Sequence, residues 1–155
     1  MSKAFTKEAD AARTPDLLPD RPLPAGPNLV TAQGLVQIDE TVARLQREQD
    51  EARDRDDISE TARLARDLRY WTARRATAQV REHTTSSDVV EFGSRVTIRH
   101  PDGREQTYRI VGSDEADPAT GTLSHHSPLA RALLGKMVGD MARLGRRDAV
   151  ITAIQ

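Results

Sequence analysis

Ser127-Pro-Leu-Ala-Arg-Ala-Leu-Leu-Gly135 is the stretch whose reading decides the fold. Ser127 carries a hydroxyl that can accept a hydrogen bond at a helix N-terminus. Pro128 suits the first helical position, where its missing N–H leaves nothing unpaired. Leu129, Leu133 and Leu134 fall close enough on a helix to share one buried face. Gly135 can take the left-handed conformation that ends a helix and that other residues avoid. A helix this short is not stable alone, and its flanks on both sides read as strand and turn. It must pack on a sheet, so the region around it is predicted to be a small α+β domain.

Working outward, Val96 and Ile98 alternate with Arg95, Thr97 and Arg99, the pattern of a half-buried strand. Pro101-Asp-Gly103 reads as a hairpin turn, with glycine free to take a positive φ. Thr107 to Val111 returns as the partner strand. Gly112 to Pro118 is a polar loop containing Asp114, Glu115 and Asp117. Thr122 to Ser124 is a short strand ahead of the helix, Lys136 to Asp140 is a turn, and Ala149 to Ile154 closes the chain as a strand. About five strands and one short helix are expected over residues 89–155.

The N-terminal half has a different character. Thr31 is placed to cap a helix. Leu35, Ile38, Val42, Leu45, Gln49 and Ala52 then step by three and four, the spacing of a coiled-coil seam. The acidic and basic run from Glu48 to Asp57 follows, and the apolar pattern lapses between Asp54 and Ser59. Asp57 or Ser59 can cap a second helix, which runs to about Gln79 with Leu64, Leu68, Trp71 and Ala78 as its stripe. Two such helices make an antiparallel hairpin over residues 29–80. With arms of about 20 residues it is roughly 30 Å long, and acidic side chains crowd its tip. Residues 1–28, punctuated by five prolines, read as a disordered tail in which Phe5 is an isolated apolar side chain. Residues 81–88 read as a linker.

The totals exclude several classes. Of 155 residues, 30% are charged and 3% aromatic, so any core is modest and aliphatic. A net charge of −1 argues against a dedicated sequence-independent nucleic-acid binder. Without cysteine there is neither a disulfide frame nor a thiolate metal site. No stretch approaches the length of a membrane span and no apolar signal core opens the chain, which points to a cytoplasmic protein.

Phe92-Gly93, Arg109-Ile-Val-Gly-Ser-Asp-Glu-Ala-Asp117, Ser127 to Lys136 and Val138-Gly-Asp140, in this order and spacing, resemble the C-terminal domain of the Gre family of bacterial transcript cleavage factors. The likeness covers roughly Val89 to Ile154. A looser likeness extends to Val30-Thr31, Gly34-Leu35 and Ala78-Gln-Val80 at the ends of the hairpin. The resemblance implies a coiled-coil finger joined to an FKBP-like β-sheet domain, in a monomeric chain. It implies a factor that docks on RNA polymerase at the rim of the secondary channel and inserts the finger, acting indirectly on nascent RNA and DNA template. It has no cofactor of its own. An acidic pair at the finger tip helps hold a magnesium ion shared with the polymerase active centre and so promotes hydrolysis of backtracked RNA. Asp57-Ile-Ser-Glu60 lies on the tip motif, which makes Asp57 and Glu60 the candidate catalytic and metal-holding residues. The chain would stimulate the polymerase's own hydrolysis and not be an enzyme itself. The candidate docking surface is Gly112, Asp114, Glu115 and Asp117 together with Ser127, Pro128, Ala130 and Arg131.

Other readings stand beside this one. Both arms are shorter than the family's usual finger, and a helix loses reach at 1.5 Å per residue. That favours a non-cleaving competitor for the channel. An interaction module of the nucleoside diphosphate kinase regulator type is a third reading. An FKBP-type prolyl isomerase is a remote fourth, because such a pocket needs aromatic lining and only Phe92 and Tyr108 are on offer. Arg63, Arg66, Arg69, Arg74 and Arg75, with Tyr70 and Trp71 nearby, read either as a contact surface for RNA or polymerase or as partners of the first helix's acids. The pairing reading is preferred, with Trp71 as core. His125 and His126 are adjacent and not at ligand spacing, and Ser127 has no recognisable base, so a cap outweighs a nucleophile.

Overall fold

In the computed structural model, which describes residues 18–84 and 87–155, two long antiparallel helices precede a five-stranded sheet that carries one short helix. The α+β arrangement expected from the sequence is the one observed. Helix α1 spans Ala32–Asp54 and α2 spans Ile58–Thr77. Thr31 caps α1, its Oγ1 accepting the Gly34 N–H at 3.0 Å. Asp57 caps α2, its Oδ1 accepting the Glu60 N–H at 3.0 Å. Between them Asp56 sits at φ 54°, a conformation that aspartate tolerates. Ile38, Leu45, Gln49 and Ala52 of the predicted seam are buried, while Leu35 and Val42 are half-buried. Leu45 and Ala52 cluster with Leu64 of α2, and Leu68 and Trp71 pack at the edge of that cluster.

The base of the hairpin holds two strands that the sequence did not announce. β1 (Leu29–Val30) and β2 (Gln79–Val80) pair in parallel. Helix α2 therefore stops at Thr77 and not near Gln79. The cause is Asn28, whose Nδ2 donates to the Arg74 carbonyl at 2.8 Å and to Thr77 Oγ1 at 3.1 Å. Such a contact satisfies a carbonyl that the last helical turn leaves free. The Gln79 N–H then donates to Asn28 O at 2.8 Å, drawing the chain into the pair.

Residues 18–28 correct the expectation of a tail. Arg21 pairs with Asp67 at 3.1 Å and stands 4.0 Å over the Tyr70 ring. Asp20 pairs with Arg69 at 2.6 Å. Charged and cation–π contacts hold a segment whose apolar content could not. Residues 1–17, including Phe5, lie outside the described residues, as do 85 and 86 of the linker.

The sheet runs in the order β5 (Thr122–Ser124), β4 (Glu105–Val111), β3 (Arg95–Arg99), β7 (Arg147–Ile154), β6 (Met141–Leu144). β4 and β5 are parallel and the other pairs antiparallel. Strand β6 was not expected, because it presents one buried residue, Ala142, beside exposed Met141. Val96, Ile98, Ile110 and Ile151 are fully buried on the covered face. Helix α3 (Pro128–Leu133) packs there through Ala130 and Leu133, and Gly135 follows at φ 81°. The register sets Arg95 opposite Arg109 and, on β7, Val96 opposite Ile154. That end of the sheet faces the hairpin base. The turns at residues 100–104 and 145–146 form the far end.

Candidate functional site

The polar loop after β4 turns inward to the hairpin. Glu115 accepts the Thr31 N–H at 3.1 Å, and the Thr31 hydroxyl donates to it at 2.5 Å. Its carboxylate thus sits at the positive end of α1. It fits because residue 34 is glycine; a Cβ there would overlap the Glu115 carboxylate. Asp114 accepts the Tyr70 hydroxyl at 2.6 Å and Arg74 Nε at 2.5 Å. Arg74 and Asp114 are 5% and 12% exposed at their side chains, so this is a buried ion pair. Burial first, and then donation to the Asp114 carboxylate, push the Tyr70 hydroxyl up to about 12. Gly112 is buried too, and a Cβ there would lie 2.7 Å from Leu29 O.

Three expected docking residues are thereby corrected. Gly112, Asp114 and Glu115 face the chain's own hairpin, because the loop carries the charges that the α1 N-terminus and the buried Arg74 require. Arg74 is corrected with them: its partner is Asp114 and not an acid of the first helix. Arg75 does pair as expected, with Asp39.

The corner beside α3 remains outward. Ser127 caps α3, its Oγ accepting the Ala130 N–H at 3.2 Å. Pro128 and Arg131 are exposed, and Arg131 has no ion pair among the described residues. Asp117 is exposed and caps a short 3-10 turn, Pro118–Thr120, by accepting the Ala119 N–H at 3.0 Å. Ala130 is 0% exposed and belongs to the core, which removes it from the predicted surface. Behind the corner the His125 ring lies with its centroid 3.8 Å from that of His126, tilted by 38°, and meets Phe92 edge-on. Burial, then the His126 and Arg74 charges, hold His125 down at about 4.

At the far end of the hairpin, Asp57 and Glu60 are one turn apart at the tip, as predicted. Each carboxylate is engaged locally. Asp57 Oδ1 is engaged in the cap, and both Glu60 oxygens accept from Arg63, at 2.5 Å from Nη2 and 2.9 Å from Nε. Arg63 holds the Glu60 carboxyl below the usual carboxylate range. A hard cation takes several oxygen ligands, and as placed both Glu60 oxygens face the Arg63 guanidinium across an exposed ion pair. Among the described residues no group of three or more His, Cys, Asp or Glu is placed to hold a metal, and no described helix is long and apolar enough to cross a membrane.

The family described as "Transcription elongation factor, GreA/GreB, C-term" matches residues 85–153. Transcription elongation factor GreA of Geobacillus kaustophilus is 53% identical over 62 residues, which are 39% of each chain. The chain thus spans well under half the length of that relative. GreA of Maricaulis maris is 36% identical over 135 residues, covering 74% of this chain and 86% of that protein. Among solved structures, GreA factor homolog 1 of Thermus thermophilus aligns at a TM-score of 0.42 and 23% identity over 84% of this chain and 99% of its own. On the breadth of the Maricaulis match, the chain belongs to the GreA/GreB family of transcription elongation factors.

Proposed function

We propose that this chain binds RNA polymerase through the corner formed by Asp117, Ser127, Pro128 and Arg131, and that its hairpin occupies the secondary channel without promoting RNA cleavage. The family supports the partner. The tip supports the absence of cleavage: Glu60 is held by Arg63 and Asp57 by the α2 cap, so both carboxylates must leave a partner before they can share a magnesium ion. Length bears on reach only where residues are missing from the hairpin. The 135 aligned positions of the Maricaulis relative take up only 74% of this 155-residue chain, so the relative carries residues within the aligned span that this chain lacks. A deficit in the hairpin shortens its reach by about 1.5 Å per residue lost from an arm.

Co-purification with RNA polymerase tests the docking half. The intact chain retains polymerase, and Pro128→Ala with Arg131→Ala weakens retention at unchanged thermal stability. Retention unaltered by the double substitution moves the interface elsewhere. An absence of polymerase subunits favours an interaction module for another partner.

A further inference from the structure

We propose that the cleft between the first turn of α1 and the near end of β3 and β4 binds a phosphate-rich small anion, such as pyrophosphate or a longer polyphosphate chain. The cleft has a volume of about 650 Å³ and is lined by Arg81, Arg95, Arg109 and His83 together with Ala32 and Gln33. Arg95 and Arg109 are directly opposite each other on adjacent strands. Like charges so placed repel, and neither arginine has an ion pair among the described residues, nor does Arg81. Glu82 is the one acidic side chain lining the cleft; Glu91 approaches its His83 and Glu115 its Thr31, so three arginines line a cleft whose acidic neighbours are engaged at its margins.

The remaining walls supply donors of the same kind. The first amides of a helix have no intrahelical partner and attract anions. Those of Thr31 and Gly34 are taken by Glu115 and by the Thr31 hydroxyl. The amides of Ala32 and Gln33 are left at the cleft wall. His83 is 9% exposed at its side chain. Its Nδ1 lies 3.3 Å from Glu91 Oε1 without hydrogen-bond geometry, and neither ring nitrogen has a partner among the described residues. A phosphate oxygen would be an acceptor for the His83 Nε2 side and for the arginines, which have none among the described residues. Arginine forks match phosphate oxygens two at a time. No aromatic side chain other than His83 lines the cleft, so it offers no platform for a base, and the phosphates are what it reads.

The site lies away from the hairpin tip and the Ser127 corner, and its test needs no polymerase. Isothermal titration of the full chain at low ionic strength with pyrophosphate, tripolyphosphate and a nucleoside triphosphate reads it directly. Tripolyphosphate binding that weakens about tenfold or more in Arg95→Ala with Arg109→Ala, but not in Arg143→Ala with Arg146→Ala at the far end of the sheet, supports the site. Removing two repelling charges leaves the fold intact, which a thermal melt checks. A nucleoside triphosphate that binds no tighter than tripolyphosphate supports phosphate as the feature read, and tenfold tighter binding overturns that. No measurable binding, or equal losses in both double variants, overturns the site.

Discussion

Glu115 and Thr31, 84 residues apart in sequence, are joined by two hydrogen bonds that clamp the loop after β4 to the first turn of α1. The clamp exists because Gly34 leaves room for the carboxylate. Glu115→Ala removes both bonds and the anion at the helix N-terminus, and should cost about 1–3 kcal/mol. Gly34→Ala should cost a similar amount, by displacing the same carboxylate. With Glu115→Ala already present, Gly34→Ala becomes neutral or stabilising, because alanine is the better helix former by about 1 kcal/mol. Denaturant unfolding of the two single variants and the double variant measures this. Additive costs would show that the two residues are not coupled.

The Asp114–Arg74 pair is the second tie between hairpin and sheet. Breaking a buried pair from one side strands the other charge, at a cost of about 3–5 kcal/mol. Asp114→Ala and Arg74→Met should each show a loss of that order. The double variant should lose clearly less than the sum. Thermal melts of the four proteins close the cycle, and strict additivity would contradict the pairing.

His125 sets a pH dependence. Its folded pKa of about 4 lies below the unfolded value of about 6.5. Between those values the unfolded chain binds more protons, so stability rises with pH through this window and is lost as pH falls. The melting temperature should increase from pH 4 to 6.5, and His125→Gln should flatten that part of the curve. An unchanged slope in the variant would place the titrating group elsewhere.

At the tip, Asp57→Ala removes the α2 cap and should cost about 1 kcal/mol. Arg63→Ala leaves the cap in place and frees Glu60, so the Glu60 carboxyl should return towards its ordinary range. A carbon-detected NMR titration of the glutamate carboxyls reads that shift. A Glu60 midpoint that does not move would remove Arg63 as its partner.

Much of the fold was legible because its signals are local. Ser127 and Gly135 bracket α3, Thr31 and Asp57 cap the long helices, and Pro101-Asp-Gly103 centres the β3–β4 hairpin. Strand β6 was missed because one buried alanine carries no periodicity. The β1–β2 pair was missed because two-residue strands have none, and their pairing depends on Asn28 reaching Arg74 across the hairpin. The acidic loop was assigned outward for a similar reason. Asp114 and Glu115 look like solvated acids until the fold brings Arg74 and Thr31 to them, and no local pattern reports such distant partners. Arg95 facing Arg109 did leave a trace, since the turn at Asp102 fixes that register.

Release of short RNA from stalled, backtracked RNA polymerase complexes tests the central claim most directly. With magnesium present, the chain should leave the intrinsic cleavage rate unchanged and should slow cleavage driven by a cleaving GreA added with it, in proportion to its concentration. Faster RNA release by this chain alone, abolished by Asp57→Ala with Glu60→Ala, would contradict the account and make the hairpin tip a cleavage-promoting one.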